Sequence, residues 1–186
     1  MCTKIFAPPN GWIETTLNTA SIEGLINFGA KLRYNKGLNI AKSVTDDLYV
    51  AAFNKELALL AASQGRLMEA KDGLESVITI LKEHNEMFLI STMAELGEVN
   101  RKLKNYDAAF IICNDALKLA KKLKRRDSIA WISRTLAFTE AARSNYQSAL
   151  SFAFHAVEFF EKPGLYVRRV EELKALIGNI QEKLTK

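Results

Sequence analysis

Apolar residues recur along this chain at steps of three and four, the spacing that gathers them on one face of a helix. From Ser21 to Tyr34 that face is Ile22, Leu25, Ile26, Phe28, Gly29 and Leu32. Asn35-Lys36-Gly37 then reads as a tight turn, because Asn and Gly tolerate positive φ, and a short helix from Leu38 to about Val44 follows. Thr45-Asp46-Asp47 can cap the next helix, which is expected over about 47–64 and ends near Gly65. The same periodicity predicts helices at about 66–82, 86–103, 105–123, 128–143, 145–161 and 166–185. Asn85 and Asp127 are N-cap candidates, Ser144 with Gln147 spells a capping box, and Pro163-Gly164 closes the penultimate helix. Nine helices in antiparallel pairs with short turns predict an all-α solenoid.

A longer period lies over the helical one. Tyr106, Ala109 and Ala116 reappear as Tyr146, Ala149 and Ala156, and in weaker form as Leu67, Ala70 and Val77, at steps of 39 and 40 residues. Self-similarity of this length marks an array in which each helical unit buries its apolar face on the next.

These residues resemble the tetratricopeptide repeat, in which each unit is a helix A carrying a Leu-Gly pair and a helix B carrying a small residue at a fixed distance. Leu96-Gly97 with Ala109, Leu136-Ala137 with Ala149, Leu57-Ala58 with Ala70 and Phe28-Gly29 with Ala41 all keep one twelve-residue offset. The helix A Trp and second Tyr of the family are absent, and the period exceeds the family's usual length of about 34 residues. The resemblance implies a right-handed superhelix of units at about 21–45, 47–84, 86–125 and 127–162, with a capping helix at 166–185. Residues 19–186 then form one domain, preceded by an extended arm, 1–18, that Trp12 and Ile13 dock onto the first helices. Small residues at Gly97, Ala109 and Ala116 would let helices A and B approach closely.

In such arrays the helix A faces line a concave groove in which a peptide or partner segment lies. Carried over residue by residue, the groove positions are Lys55 and Leu59, then Glu98, Arg101 and Lys102, then Trp131, Arg134 and Phe138. Leu59, Trp131 and Phe138 read equally well as core, since apolar residues on a helix are more often packed than used. A clamp for a chaperone's terminal carboxylate is not expected, because Leu59 and Glu95 stand where it needs Asn and Trp131 where it needs Lys.

Charge adds one feature. The net formal charge is +5, yet Arg101 to Arg126 alone holds nine Lys or Arg against Asp107 and Asp115. Such a patch favours acidic partners, and more weakly nucleic acid. The alternative is a solvated helix end, where cations offset the macrodipole. Cys2 and Cys113 lack metal-ligand spacing, His84 and His155 stand in no catalytic motif, and no phosphate loop or HExxH is present. The reading is therefore non-catalytic, with no cofactor and no metal. No apolar run reaches membrane-spanning length, and a cytoplasmic address is the default. A protein-interaction adaptor that binds a protein or peptide, possibly acidic, is the first expectation. A peptide-sensing regulatory module controlling an effector is the alternative, and nucleic-acid binding through 101–126 is the weakest reading. Helix 145–162 carries Phe152 and Phe159 on a flank of their own. Either the last helix covers that flank through Val167, Val170, Leu173, Leu176 and Ile177, or the two rings join a two-fold homodimer.

Overall fold

A computed structural model describes residues 19–82, 85–161 and 166–185 of the chain. The expected arm at 1–18, Cys2, His84 and the Pro163-Gly164 stop lie outside the described residues. Within them the chain is all helix: α1 (Thr19–Ser43), α2 (Asp47–Ser63), α3 (Leu67–Leu81), α4 (Glu86–Lys102), α5 (Tyr106–Lys122), α6 (Arg126–Ala142), α7 (Tyr146–Glu161) and α8 (Val167–Leu184). Each helix packs on the one before and the one after it. Among the described residues α2, α4, α6 and α8 also touch in succession, whereas α3, α5 and α7 do not touch one another. The even helices therefore form the tighter, inner layer of a tetratricopeptide-like solenoid, and the odd ones its outer layer.

The turns between helices follow one scheme. After α1, α2, α4, α5 and α6 the chain places one residue in the left-handed region: Thr45, Gly65, Lys104, Lys124 and Ser144. The next amide reaches back to close the helix, as in Asn105 N–H to the Asn100 carbonyl, Arg125 N–H to Ala120 and Asn145 N–H to Glu140. This is the Schellman C-cap, which satisfies carbonyls that the helix end leaves open. It also corrects two sequence expectations. Ser144 is the left-handed cap of α6 rather than the first residue of a capping box. Asp127 lies inside α6, paired with Arg125, and does not cap it. Asp46 and Asn85 do cap their helices, through Leu48 N–H and Tyr49 N–H and through Phe88 N–H.

The expected turn at Asn35-Lys36-Gly37 is absent, and α1 runs unbroken through it, so the described residues hold eight helices rather than nine. The physical reason is at Gly37. A side chain there would collide with the Phe53 ring of α2, so the glycine serves close approach of two helices rather than a positive φ.

The small residues of the repeat behave as their spacing implies. Ala70, Ala109, Ala116, Ala149 and Ala156 are fully buried, and a Cβ on Gly97 would run into Cys113 Sγ. Burial pushes the Cys113 thiol up to about 12, so it stays protonated and packs as a small apolar group. Phe152 is half-buried against both cores flanking α6. Phe159 is half-buried against the core that α8 completes with Leu173 and Ile177. Much of that flank is thus covered from within the chain.

Candidate groove of the inner layer

The inner helices bring most of the expected groove residues together. Arg101 forms two hydrogen bonds to Glu98, from Nε at 2.9 Å and from the terminal guanidinium nitrogen at 2.6 Å. The Phe138 ring of α6 lies between two guanidiniums, with Arg101 at 5.5 Å and Arg134 at 5.2 Å from its centre. A cation over an aromatic face is attracted by the ring's quadrupole. Phe138 and Trp131 both back onto the core while keeping an edge exposed, so core and surface roles coincide in them.

Electrostatics bind these residues into one system. Burial pushes Glu98 up, but the Arg101 hydrogen bond and charge, with Arg134 and Lys102, outweigh it and hold the carboxyl below its usual range. The hydrogen bond to Glu98 in turn raises Arg101. Nearer the N-terminal end, Lys55 is buried, donates to Ser91 Oγ at 2.9 Å and sits over the Phe88 ring. Burial lowers Lys55 and raises Glu95, against the attraction between the two. Lys102 is exposed at the end of α4, within electrostatic reach of Glu95 and Glu98. Leu59 is half-buried on α2 and joins none of these contacts.

The sequence reading missed the contribution of α8. Read as a cap, α8 in fact closes a cleft of about 520 Å³ against α6, lined by Trp131, Arg134, Tyr166, Arg168, Arg169 and Glu172. Arg134 bonds Glu172 at 2.7 Å, and Arg168 reaches the same carboxylate at 3.3 Å. Arg169 lies 3.9 Å over the Trp131 ring, which also meets Phe160 and Tyr166 edge to face. A signal was present in the repeat period. Lys55, Glu95, Arg134 and Glu172 follow one another at steps of 40, 39 and 38 residues and alternate in charge along the inner layer.

Elsewhere the basic stretch is paired in part. Lys118, Lys122 and Arg125 pair with Asp115, Glu86 and Asp127 on exposed ground. Among the described residues no group of three or more His, Cys, Asp or Glu could hold a metal ion, and no helix is long and apolar enough to cross a membrane.

Comparison with known proteins agrees with the helical-repeat fold. Residues 89–162 match the family model for the tetratricopeptide repeat. The fold is similar to the crystal structure of BtubC (BKLC) from P. vanneervenii, with 16% identity, a TM-score of 0.65, and 89% of this chain and 75% of that one covered. It is also similar to apo RapI, with 17% identity and a TM-score of 0.57 over 88% of this chain and 65% of that one. A Podosopora anserina protein of nearly identical, kinesin-light-chain TPR-like repeats shares 15% identity, a TM-score of 0.57, and 90% and 96% coverage. The sequence finds no match among curated proteins.

Proposed function

We propose, from the premise that this chain is a tetratricopeptide-like helical-repeat protein, that it is a non-catalytic interaction module whose inner groove holds an acidic peptide or partner segment. One observation carries the reading: Lys55, Arg101, Lys102, Arg134, Arg168 and Arg169 stand along the inner layer, and the carboxylates within their electrostatic reach are fewer, Glu56, Glu95, Glu98 and Glu172. Six cations over four carboxylates leave an excess of positive charge, and Lys102, Arg168 and Arg169 share carboxylates already engaged by other cations. Half-exposed Trp131 and Phe138 supply apolar contact beside these cations, and such rigid aromatics with Arg dominate many binding surfaces. The paired cations of 118–126 favour a solvated helix end there over a nucleic-acid surface.

The test compares two degenerate heptapeptide libraries, one with Glu and one with Lys fixed at two positions, on the full chain. The Glu library should bind more tightly, and its binding should weaken with salt, because exposed charges are screened over about 8 Å at physiological ionic strength. Lys102→Glu combined with Arg101→Gln should weaken it further in a chain that still unfolds cooperatively, although the unpaired Glu98 lowers the melting temperature. Equal binding of both libraries, or indifference to that double variant, would move the site off the groove.

A further inference from the structure

The cleft between α6 and α8 differs from the rest of the groove in how its charge is left. Glu98 is committed to Arg101, Glu172 is shared between Arg134 and Arg168, and Glu95 acts at longer range on Lys55, Lys102 and Arg169. Arg169 has no ion pair among the described residues. Burial lowers it, and the neighbouring Arg134 charge lowers it further, so its cation is held in a site that disfavours it. Buried Arg134 Nε finds no acceptor among the described residues either. Both Arg168 and Arg169 open α8, whose first turn holds no acidic residue and whose N-cap, Tyr166, makes no side-chain cap. Cations at that end oppose the helix macrodipole, which favours an anion there. Three guanidiniums and one carboxylate line the cleft, an excess of positive charge that Glu95 offsets only from outside the lining, and Arg134 Nε has no acceptor.

Resting on the groove reading above, we infer that this cleft is a phosphoryl pocket, taking a phosphorylated side chain of a peptide that lies along the inner layer. A carboxylate brings one charge and two acceptor oxygens. A phosphoryl group brings close to two charges at neutral pH and three strong acceptor oxygens, which matches the deficit left by Arg134, Arg168 and Arg169. Planar guanidinium forks suit such a group, because each can give two parallel hydrogen bonds. Trp131 holds Arg169 from behind through its ring face, and Phe160 and Tyr166 fix that ring in turn. Arg169 is therefore set before the ligand arrives, which reduces the ordering cost of binding. Glu172 spaces Arg134 from Arg168 and keeps the empty cleft from repelling itself apart.

The experiment uses the full chain and three degenerate heptapeptide libraries with phosphoserine, Glu or Ser fixed at the centre, followed by fluorescence anisotropy. The phosphoserine library should bind about tenfold tighter than the Ser library, a gain of roughly 1.4 kcal/mol, and clearly tighter than the Glu library. Arg169→Gln should erase the phosphoserine advantage, and so should Arg168→Gln, whose side chain is 92% exposed and can be changed without disturbing the core. Inorganic phosphate should compete with the phosphoserine library alone. Equal binding of the phosphoserine and Glu libraries would overturn the inference in favour of a carboxylate site. A phosphoserine advantage that survives both arginine variants would place the anion elsewhere. The groove reading fails separately, on the Glu and Lys libraries and the Lys102→Glu, Arg101→Gln variant, so either idea can fall alone.

Discussion

The outer and inner helices of this solenoid bury different chemistry. The buried residues of α3, α5 and α7 are all apolar, among them Leu74, Val77, Cys113, Leu117, Ala153 and Phe160. Every buried polar or charged side chain among the described residues lies on α2, α4 or α6: Lys55, Thr92, Asn100, Ser133, Thr135, Thr139 and Glu140. Burying such groups costs free energy unless they are hydrogen-bonded, and the inner helices meet that condition largely from their own backbones. Thr92 donates to the Phe88 carbonyl, Asn100 to Leu96 and Thr139 to Thr135, each one turn back. Glu140 accepts from Arg143 and Asn145 at the α6–α7 turn. The outer layer thus supplies apolar packing, while the inner layer carries the buried polar groups. The difference separates the packing of the outer layer from the polar character on which the proposed groove rests.

The largest expected effect breaks the outer layer. Phe160 is fully buried and is the largest such side chain among the described residues. Phe160→Ala should cost about 3–5 kcal/mol by leaving a cavity that rigid helices cannot close. Thr139→Val, equally buried on the inner layer, should cost less than about 1 kcal/mol, because its hydroxyl only supplements a carbonyl already in the helix ladder. Urea denaturation of both variants checks the contrast. Similar losses in the two would mean that the layers do not divide the work as their composition suggests.

Much of this organisation is legible in the amino-acid sequence. The twelve-residue offset located Gly97, Ala109, Ala116 and Ala149 correctly, because close helix contact admits only small residues and so writes itself into the sequence. The same register pointed to Glu98, Arg101, Arg134 and Phe138, which the structure brings close together on α4 and α6. What failed was local. Asn35-Lys36-Gly37 looked like a turn because glycine serves both positive φ and close approach, and only the position of Phe53 distinguishes the two. The turns at Lys104, Lys124 and Ser144 carry no glycine yet fall in the gaps expected between helices, and what was misread is the chemistry at Ser144, a left-handed cap taken for a capping box. The α8 arginines were missed because a terminal helix reads as a lid. Only its contact with α6 turns Arg168, Arg169 and Glu172 toward a shared cleft.

A smaller effect sharpens the inner layer's electrostatics. Glu98 is held below its usual range, so its pairing with Arg101 contributes stability that is present above the ordinary carboxylate range and lost as the pH falls through the lowered value. Glu98→Gln should cost about 1–2 kcal/mol at neutral pH, as a charge-assisted pair becomes a neutral one. The variant should also lose less stability than the wild type on acidification below about pH 4.5. Parallel acid-stability curves for the two chains would remove Glu98 from the groove's charge system.

The smallest effect tests the turns that both layers share. Lys104, Lys124 and Ser144 adopt φ values of 63°, 53° and 62° at the ends of α4, α5 and α6. A residue with a Cβ pays roughly 1–2 kcal/mol in that region, whereas glycine pays almost nothing for the conformation and somewhat more in unfolded-state entropy. Lys124 is exposed, and its side chain takes no part in the salt bridges around it. Lys124→Gly should therefore stabilise the chain by about 0.5–1 kcal/mol, the net of those two terms. It also removes one cation from the crowded end of α5, where Lys118, Lys121 and Lys122 already offset the helix dipole. Glycine at Val99, buried within α4 rather than at its cap, should instead destabilise, since there it only adds unfolded-state freedom and removes packing. A Lys124→Gly melt that moves down rather than up would show that the left-handed caps carry no strain, and that the even spacing of turns is set by helix packing alone.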